Sequence, residues 1–204
     1  MNASDTYLSI DAPGEGLYKD QGSRFIALAY PVESVEQVRE IVDAARRQYH
    51  DARHVCYAYR IGKDGELFRA NDDGEPSGSA GKQILSRMVA ASLSDVLLVV
   101  VRYFGGIKLG IPGLIKAYRS CVDDALEHTR KVEKIAGNWY SLHFEYENLP
   151  RVMSLVKEMD LPQRKQDFSQ ECRLEVRVRK NLEEDFLQRM EKLSNFKDKI
   201  IKNE

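Results

Sequence analysis

The segment that most constrains the fold is residues 99–110, VVVRYFGGIKLG. Its uninterrupted run of β-branched residues predicts a buried central strand. Gly105 and Gly106 then predict a turn in which the backbone comes close to another group, and a helix follows. Arg102 and Lys108 place positive charge at this strand tip. The pattern indicates either an ordinary core strand that ends in a turn or a binding site carried on a rigid strand.

Composition limits the classes of protein that the chain can represent. Of 204 residues, 43% are hydrophobic and 31% are charged, and 31 Lys and Arg stand against 32 Asp and Glu. Affinity for nucleic acid or membrane must therefore come from a local patch. No apolar stretch approaches the roughly 18 residues of a spanning helix, and no leader pattern is visible, so we expect a cytoplasmic protein without membrane contact. The dispersed cysteines predict buried, reduced thiols: Cys56, Cys121 and Cys172.

The first two thirds of the chain alternate strand and helix patterns. Residues 24–30 predict a strand, and a capping box at Ser34 and Gln37 opens a helix over 35–49. Residues 54–61 alternate as a strand does, and the chain returns over 66–70 as the second strand of a hairpin.

A turn-rich segment, NDDGEPSGSAG, covers residues 71–81. Ser77 and Ser79 are the predicted caps of the helix that follows. After the glycine turn, Pro112 suits the first turn of a further helix, which we expect to end near Arg130.

The C-terminal third has the pattern βαββαβ, which is typical of the ferredoxin-like arrangement. The predicted strands cover 139–146, 164–168, 171–179 and 196–200, and the predicted helices cover 149–159 and 182–193. The boundary falls within 134–137, which predicts domains of 1–134 and 138–204. One face of the strand over 171–179 is charged, through Arg173, Glu175, Arg177 and Arg179. We expect a solvated face there, with RNA binding as the alternative.

The chain lacks residues that the common catalytic and nucleotide-binding motifs require. The segment that ends at Gly81 and Lys82 lacks the first glycine and the Ser or Thr of a phosphate loop, and GGIKLG does not match the dinucleotide fingerprint. His54 and Cys56 share one strand face and point in parallel, which favours a structural histidine over a catalytic pair. No catalytic residue, metal ligand or cofactor is predicted.

Basic, acidic and aromatic residues are expected to meet at one end of the sheet. The candidate binding residues are Arg60, Arg69, Asn71, Asp72, Asp73, Glu75, Ser77, Arg102, Tyr103, Phe104, Gly105, Gly106 and Lys108. Arginines beside exposed Tyr57, Tyr59, Tyr103 and Phe104 suit stacking and phosphate contacts with RNA, or a polar protein interface. The acids among them slightly favour a protein partner.

Three long segments, HVCYAYRIG, NDDGEPSGSAGKQIL and VVVRYFGGIKLG, together resemble the bacterial YigZ branch of the IMPACT family. The resemblance covers about residues 24–127. It implies an N-terminal α+β sandwich like domain IV of elongation factor G and a C-terminal ferredoxin-like domain like domain V of that factor. It also implies a regulator of translation, since the eukaryotic members bind an activator of an initiation-factor kinase, whereas the bacterial branch has no agreed activity. One departure is Pro112, which stands where the family has a small residue and removes an amide donor.

The sequence therefore predicts a two-domain α+β protein that is a non-enzymatic, translation-associated regulator. Its expected partner is RNA, the ribosome or a translation factor, bound through the N-terminal domain. Two alternatives stay open: a protein-binding regulator without RNA contact, and a metal-assisted hydrolase that uses the turn of Asp72, Asp73 and Glu75. Oligomeric state is not predicted.

Overall fold

The structure is a computed structural model that describes residues 5–193 and 199–203. The chain divides into two compact units: Thr6–Lys134, and Asp5 together with the described residues from Ile135 onward. Each unit mixes helices with antiparallel sheet, as the predicted fold class requires. Within the described ranges, no helix has the length and apolar character needed to cross a membrane.

The first unit is built on a five-stranded antiparallel sheet. Its elements are β1 (Thr6–Ile10), β2 (Gly14–Asp20), β3 (Ser23–Pro31), α1 (Val35–Gln48), β4 (His54–Ile61), β5 (Leu67–Asn71), α2 (Gly81–Ala90), β6 (Val96–Tyr103) and α3 (Gly110–Glu127). The strand order is β2-β3-β6-β4-β5. A separate two-stranded sheet pairs β1 with β7 (Lys131–Ile135).

The predicted central strand is confirmed as β6, which is buried on both faces. Val96, Leu98 and Val100 join the core beneath α2 and α3, while Leu97 and Val99 join the core beneath α1. A strand covered by helices on both sides needs apolar residues at every position instead of at alternate ones. The unbroken apolar run of β6 therefore follows from its place in the middle of three layers.

The edge strand β2 was not predicted, because its sequence GEGLYKD carries two glycines, which disfavour strands. Gly16 lies against the backbone of α3, where an added Cβ would stand 2.2 Å from the amide nitrogen of Ala125. The glycine thus permits a close contact between helix and strand that a propensity argument cannot detect.

The second unit confirms the predicted βαββαβ order. Its elements are β8 (Gly137–Glu145), α4 (Leu149–Glu158), β9 (Gln163–Phe168), β10 (Glu171–Arg179), α5 (Glu183–Leu193) and β11 (Lys199–Lys202), with sheet order β11-β8-β10-β9. Of the last predicted strand, residues 196–198 lie outside the described residues. Alternate apolar residues of β8 and β10 form the core with α4 and α5. On β10 the intervening charged residues lie on the opposite face, as predicted.

The cap of α2 differs from the prediction. Ser77 is exposed and the Ser79 hydroxyl donates to the Pro76 carbonyl, so neither serine caps the helix. Instead, the Asp72 carboxylate accepts from the amides of Gly78, Ala80 and Gly81 at 2.9, 3.1 and 2.8 Å. A carboxylate next to a helix N-terminus satisfies free amides and also interacts favourably with the helix dipole. The prediction of serine caps was wrong because an acid at the end of β5 reaches the same amides.

Asp72→Ala is expected to lower the free energy of the opening that exposes the α2 amides to hydrogen exchange by about 2 kcal/mol, since three amides lose their acceptor. The matched control Ser77→Ala should change it by less than about 0.5 kcal/mol. Hydrogen exchange of the α2 amides in the full chain measures both values. Equal effects of the two substitutions would contradict the assignment of the cap.

Candidate functional site

A pocket of about 520 Å³ lies at the tip of β6. Four segments form it: the start of β4, the loop between β5 and α2, the end of β6, and the start of α3. Because β4 runs antiparallel to β6, His54 lies directly opposite Arg102 in the sheet. The walls carry the cations Arg53, Arg102 and Lys108 and the apolar residues Pro76, Phe104, Leu109, Ile111 and Leu114.

The buried group of the pocket is an ion pair between Arg102 and Glu75. Arg102 is 6% exposed and Glu75 is 8% exposed, and Arg102 Nη1 donates to Glu75 Oε1 at 2.6 Å. Two charges taken out of water persist only when they are paired this closely. The Arg102 Nε is also buried, yet it has no hydrogen-bond partner in the part of the chain that the structure describes. The guanidinium therefore retains an unused donor.

Glu75 also accepts a hydrogen bond from a buried tyrosine of α3. The Tyr118 hydroxyl donates to Glu75 Oε1 at 2.8 Å and lies 3.3 Å from Cys56 Sγ. Burial raises the pKa of both the Tyr118 hydroxyl and the Cys56 thiol, so both stay protonated. A protonated, buried thiol is a poor nucleophile. The cluster thus holds the pocket in shape and does not supply a reactive sulfur.

His54 presents one nitrogen to this cluster. Its Nδ1 lies 2.7 Å from the Asp73 carbonyl oxygen, which can only accept, so Nδ1 carries the proton. The Nε2 of His54 lies 4.0 Å from Glu75 Oε1. In the neutral ring Nε2 is therefore an acceptor.

The N-terminus of α3 contributes positive potential to the same pocket. No side chain caps this 18-residue helix, and its first turn contains no acid. The first amides of a helix have no acceptor within the helix, and they attract anions. Of the first helical residues, Gly110 and Ile111 retain free amides, whereas Pro112 has no amide hydrogen.

The glycine turn makes a close approach as predicted, and the approach at Gly105 is to the protein backbone. A Cβ added to Gly105 would stand 1.9 Å from the carbonyl carbon of Gly22, so the turn packs on the β2–β3 connection. Gly105 also donates its amide to Ser23 Oγ at 3.2 Å. By contrast, an added Cβ on Gly106 would meet nothing within 4 Å.

Only some of the predicted binding residues line the pocket: Glu75, Arg102, Phe104 and Lys108. Tyr103 follows Arg102 in the strand and therefore points to the opposite face. There its hydroxyl donates to Asp51 at 2.9 Å, and the Arg24 guanidinium lies 4.5 Å from its ring centre.

The expectation that Arg60 and Arg69 meet Arg102 was wrong. Arg60 lies opposite Val96, at the far end of β6, roughly 20 Å along the strand from the His54 position. Its guanidinium donates to the carbonyls of Leu93 and Asp64. Arg69 pairs with Tyr59 near that same end. Tyr59, expected to be exposed, is buried.

The acidic turn also has a structural role. Asn71 Oδ1 accepts from the Asp73 amide, and Asp73 Oδ2 accepts from the Val55 amide at 2.7 Å. With Asp72 on the α2 amides, the carboxylates point to separate partners. Within residues 5–193 and 199–203, no three or more His, Cys, Asp or Glu residues form a group that could hold a metal ion. The carboxylates of Asp72, Asp73 and Glu75 therefore do not converge on one point in the described structure.

Arg53, which lines the pocket, and Tyr118, which supports Glu75 from the core, were not predicted as site residues from the sequence. Arg53 stands immediately before β4, and its only signal is its place next to His54. Tyr118 has helical core spacing, and nothing in the sequence distinguishes its hydroxyl from that of any other buried tyrosine.

Arg102→Met is expected to lower the free energy of unfolding of the first unit by about 3 to 5 kcal/mol, because Glu75 is then buried without its counter-ion. The double variant Arg102→Met with Glu75→Gln should recover a large part of this loss. Hydrogen exchange of the β6 amides in the full chain reports both. A double variant as unstable as the sum of its single variants would contradict the coupling.

Comparisons with known proteins agree with the resemblance of the three segments. Residues 21–126 match the family described as the Impact N-terminal domain. YvyE of Bacillus subtilis (strain 168), an IMPACT family member, is 33% identical over 98% of this chain and 92% of its own length. YigZ of Escherichia coli (strain K12), also an IMPACT family member, is 35% identical over 76% of this chain and 78% of its own length. A crystal structure of a hypothetical protein matches 99% of both chains at 30% identity, with a TM-score of 0.72. The chain belongs to the IMPACT family.

Proposed function

We propose that this protein is a translation-associated regulator that binds RNA through the pocket at the tip of β6. Membership of the IMPACT family supports the translational setting, since the resemblance implies regulators of translation. The observation that carries the RNA contact is the convergence of Arg53, Arg102 and Lys108 beside the exposed ring of Phe104. Cations that meet phosphates, next to an aromatic ring on which a base stacks, are the usual elements of RNA recognition.

The local charge favours an anionic partner although the whole chain has a net charge of −1. Glu75 is the one acid among the lining residues, and its charge is matched by Arg102. Arg53 and Lys108 are exposed and add their charge to that of the α3 N-terminus. Asp72 and Asp73, which looked unfavourable for phosphate in the sequence, are held by backbone amides of the loop and of β4.

A second candidate is a protein-binding regulator, favoured by apolar side chains around the pocket. Phe104, Ile107 and Ile111 are 49%, 57% and 53% exposed. Neighbouring exposed apolar residues within a polar surface are typical of protein interfaces.

The double variant Arg53→Ala with Lys108→Ala is expected to weaken RNA binding by about 10-fold or more at moderate salt and to reduce the salt slope by about 2, since two phosphate contacts are lost. Co-sedimentation of the full chain with ribosomes over a salt series measures both quantities. Both substituted residues are exposed, so the fold should be retained.

The matched control is Arg39→Ala with Arg47→Ala, which removes two exposed cations from α1 on the other side of the sheet. Unchanged binding by the pocket variant would contradict the proposal. Co-sedimentation that survives nuclease digestion of the RNA would favour the protein-binding candidate instead.

A further inference from the structure

We infer that the pocket accepts a terminal phosphate, as on a nucleotide or at an RNA end, in preference to an internal phosphodiester; this inference rests on the proposed function of the same site. Three features of the pocket support it: the depth of Arg102, the unpartnered Nε–H of its guanidinium, and the donors that surround it.

The depth of the pocket selects a group that projects from its ligand. Arg102 is 6% exposed, and its unpartnered Nε has almost no contact with solvent. An internal phosphodiester carries a sugar on each side, which keeps it at the surface of a protein. A terminal phosphate has one substituent and can enter a concave site end-on. Exposed Arg53 and Lys108 alone would not discriminate in this way.

The guanidinium of Arg102 has one buried donor without an acceptor among the described residues. Glu75 accepts from Nη1, which lies on the side of the guanidinium away from the Nε–H. The Nε–H and one Nη2–H point along a common edge, and this edge matches two oxygens of a phosphate. A buried N–H without an acceptor costs about 1 to 3 kcal/mol. A bound oxyanion would supply the missing acceptor.

The remaining donors suit a group with more than one negative charge. A phosphate monoester carries about −1.5 to −2 charges at pH 7 and three acceptor oxygens, whereas a diester carries one charge. The uncapped first turn of α3 and the exposed Lys108 supply donors on one side. In the neutral ring, His54 Nε2 can accept a hydrogen bond from a singly protonated phosphate, because its Nδ1 donates to the Asp73 carbonyl.

Apolar residues at the rim of the pocket suit the base of a nucleotide. Phe104 and Ile111 both line the pocket and are about half exposed. Stacking of a base on an aromatic side chain is worth about 1 to 3 kcal/mol and tolerates any base. The class of ligand is therefore a nucleoside monophosphate unit, either free or at the end of a strand.

The test uses three short RNAs of identical sequence, with a 5′-phosphate, with a 3′-phosphate, and with hydroxyls at both ends. Each is titrated into the full chain by fluorescence anisotropy, and a free nucleoside 5′-monophosphate is titrated by calorimetry. At least one phosphorylated RNA is expected to bind about 10-fold or more tightly than the RNA without a terminal phosphate, as two charge-assisted hydrogen bonds would produce.

Two variants test which residues produce the preference for the phosphorylated RNA. Arg102→Lys keeps a positive charge next to Glu75 but removes the two-donor edge, and hydrogen exchange of β6 shows whether the variant is folded. Lys108→Ala removes an exposed cation and leaves the ion pair intact. Each is expected to reduce the preference for the phosphorylated RNA, whereas Arg39→Ala on α1 should leave it unchanged.

The outcomes separate this inference from the proposed function. Equal binding of the three RNAs, weakened equally by Lys108→Ala, would overturn the terminal-phosphate inference and leave RNA binding in place. Binding of the free monophosphate alone, lost in Lys108→Ala, would support the inference and overturn RNA as the partner. Absence of binding by every probe would overturn both.

Discussion

The ion pair between Arg102 and Glu75 is the interaction on which the site depends. One carboxylate oxygen accepts from the end of the central strand through Arg102 and from α3 through Tyr118, while Glu75 itself belongs to the loop before α2. The loop before α2, the end of β6 and α3 are thereby held together at one point. Because neither charge is tolerated in the interior without the other, the loop cannot leave the strand without a large loss of free energy.

The same arrangement explains why a stable core carries an unsatisfied donor. The helices on the two faces of the sheet bury β6 from Val96 to Arg102. The strand thus brings Arg102 to the edge of the core, at a depth where water has little access. Glu75 satisfies one side of the guanidinium only. Arg102 is thus held firmly by its ion pair while one of its donors has no acceptor within the described ranges. A rigid side chain with a free donor is what a preorganised binding site requires.

Much of the fold could be predicted from the sequence, because β6 and β10 have clear apolar patterns and the helices have clear periodicity. The β2 strand could not, since its glycines reflect contact with α3. In the site, Arg102 and Lys108 were identified from the strand tip itself. The position predicted for Arg60 was wrong because the residue pattern of β4 does not show which end of β4 lies beside the tip of β6. The antiparallel register places His54, and not Arg60, next to that tip. The contacts of Tyr118 depend on tertiary structure alone.

The NMR signal of the Arg102 Nε–H group in the full chain, assigned by its loss in Arg102→Lys, shows directly whether this donor binds a phosphate. Titration with a nucleoside 5′-monophosphate is predicted to shift this resonance strongly downfield with the same affinity that the Lys108 signals report, because the free donor acquires a charged acceptor. An Arg102 Nε–H signal that stays unchanged when the ligand is saturating would contradict the account.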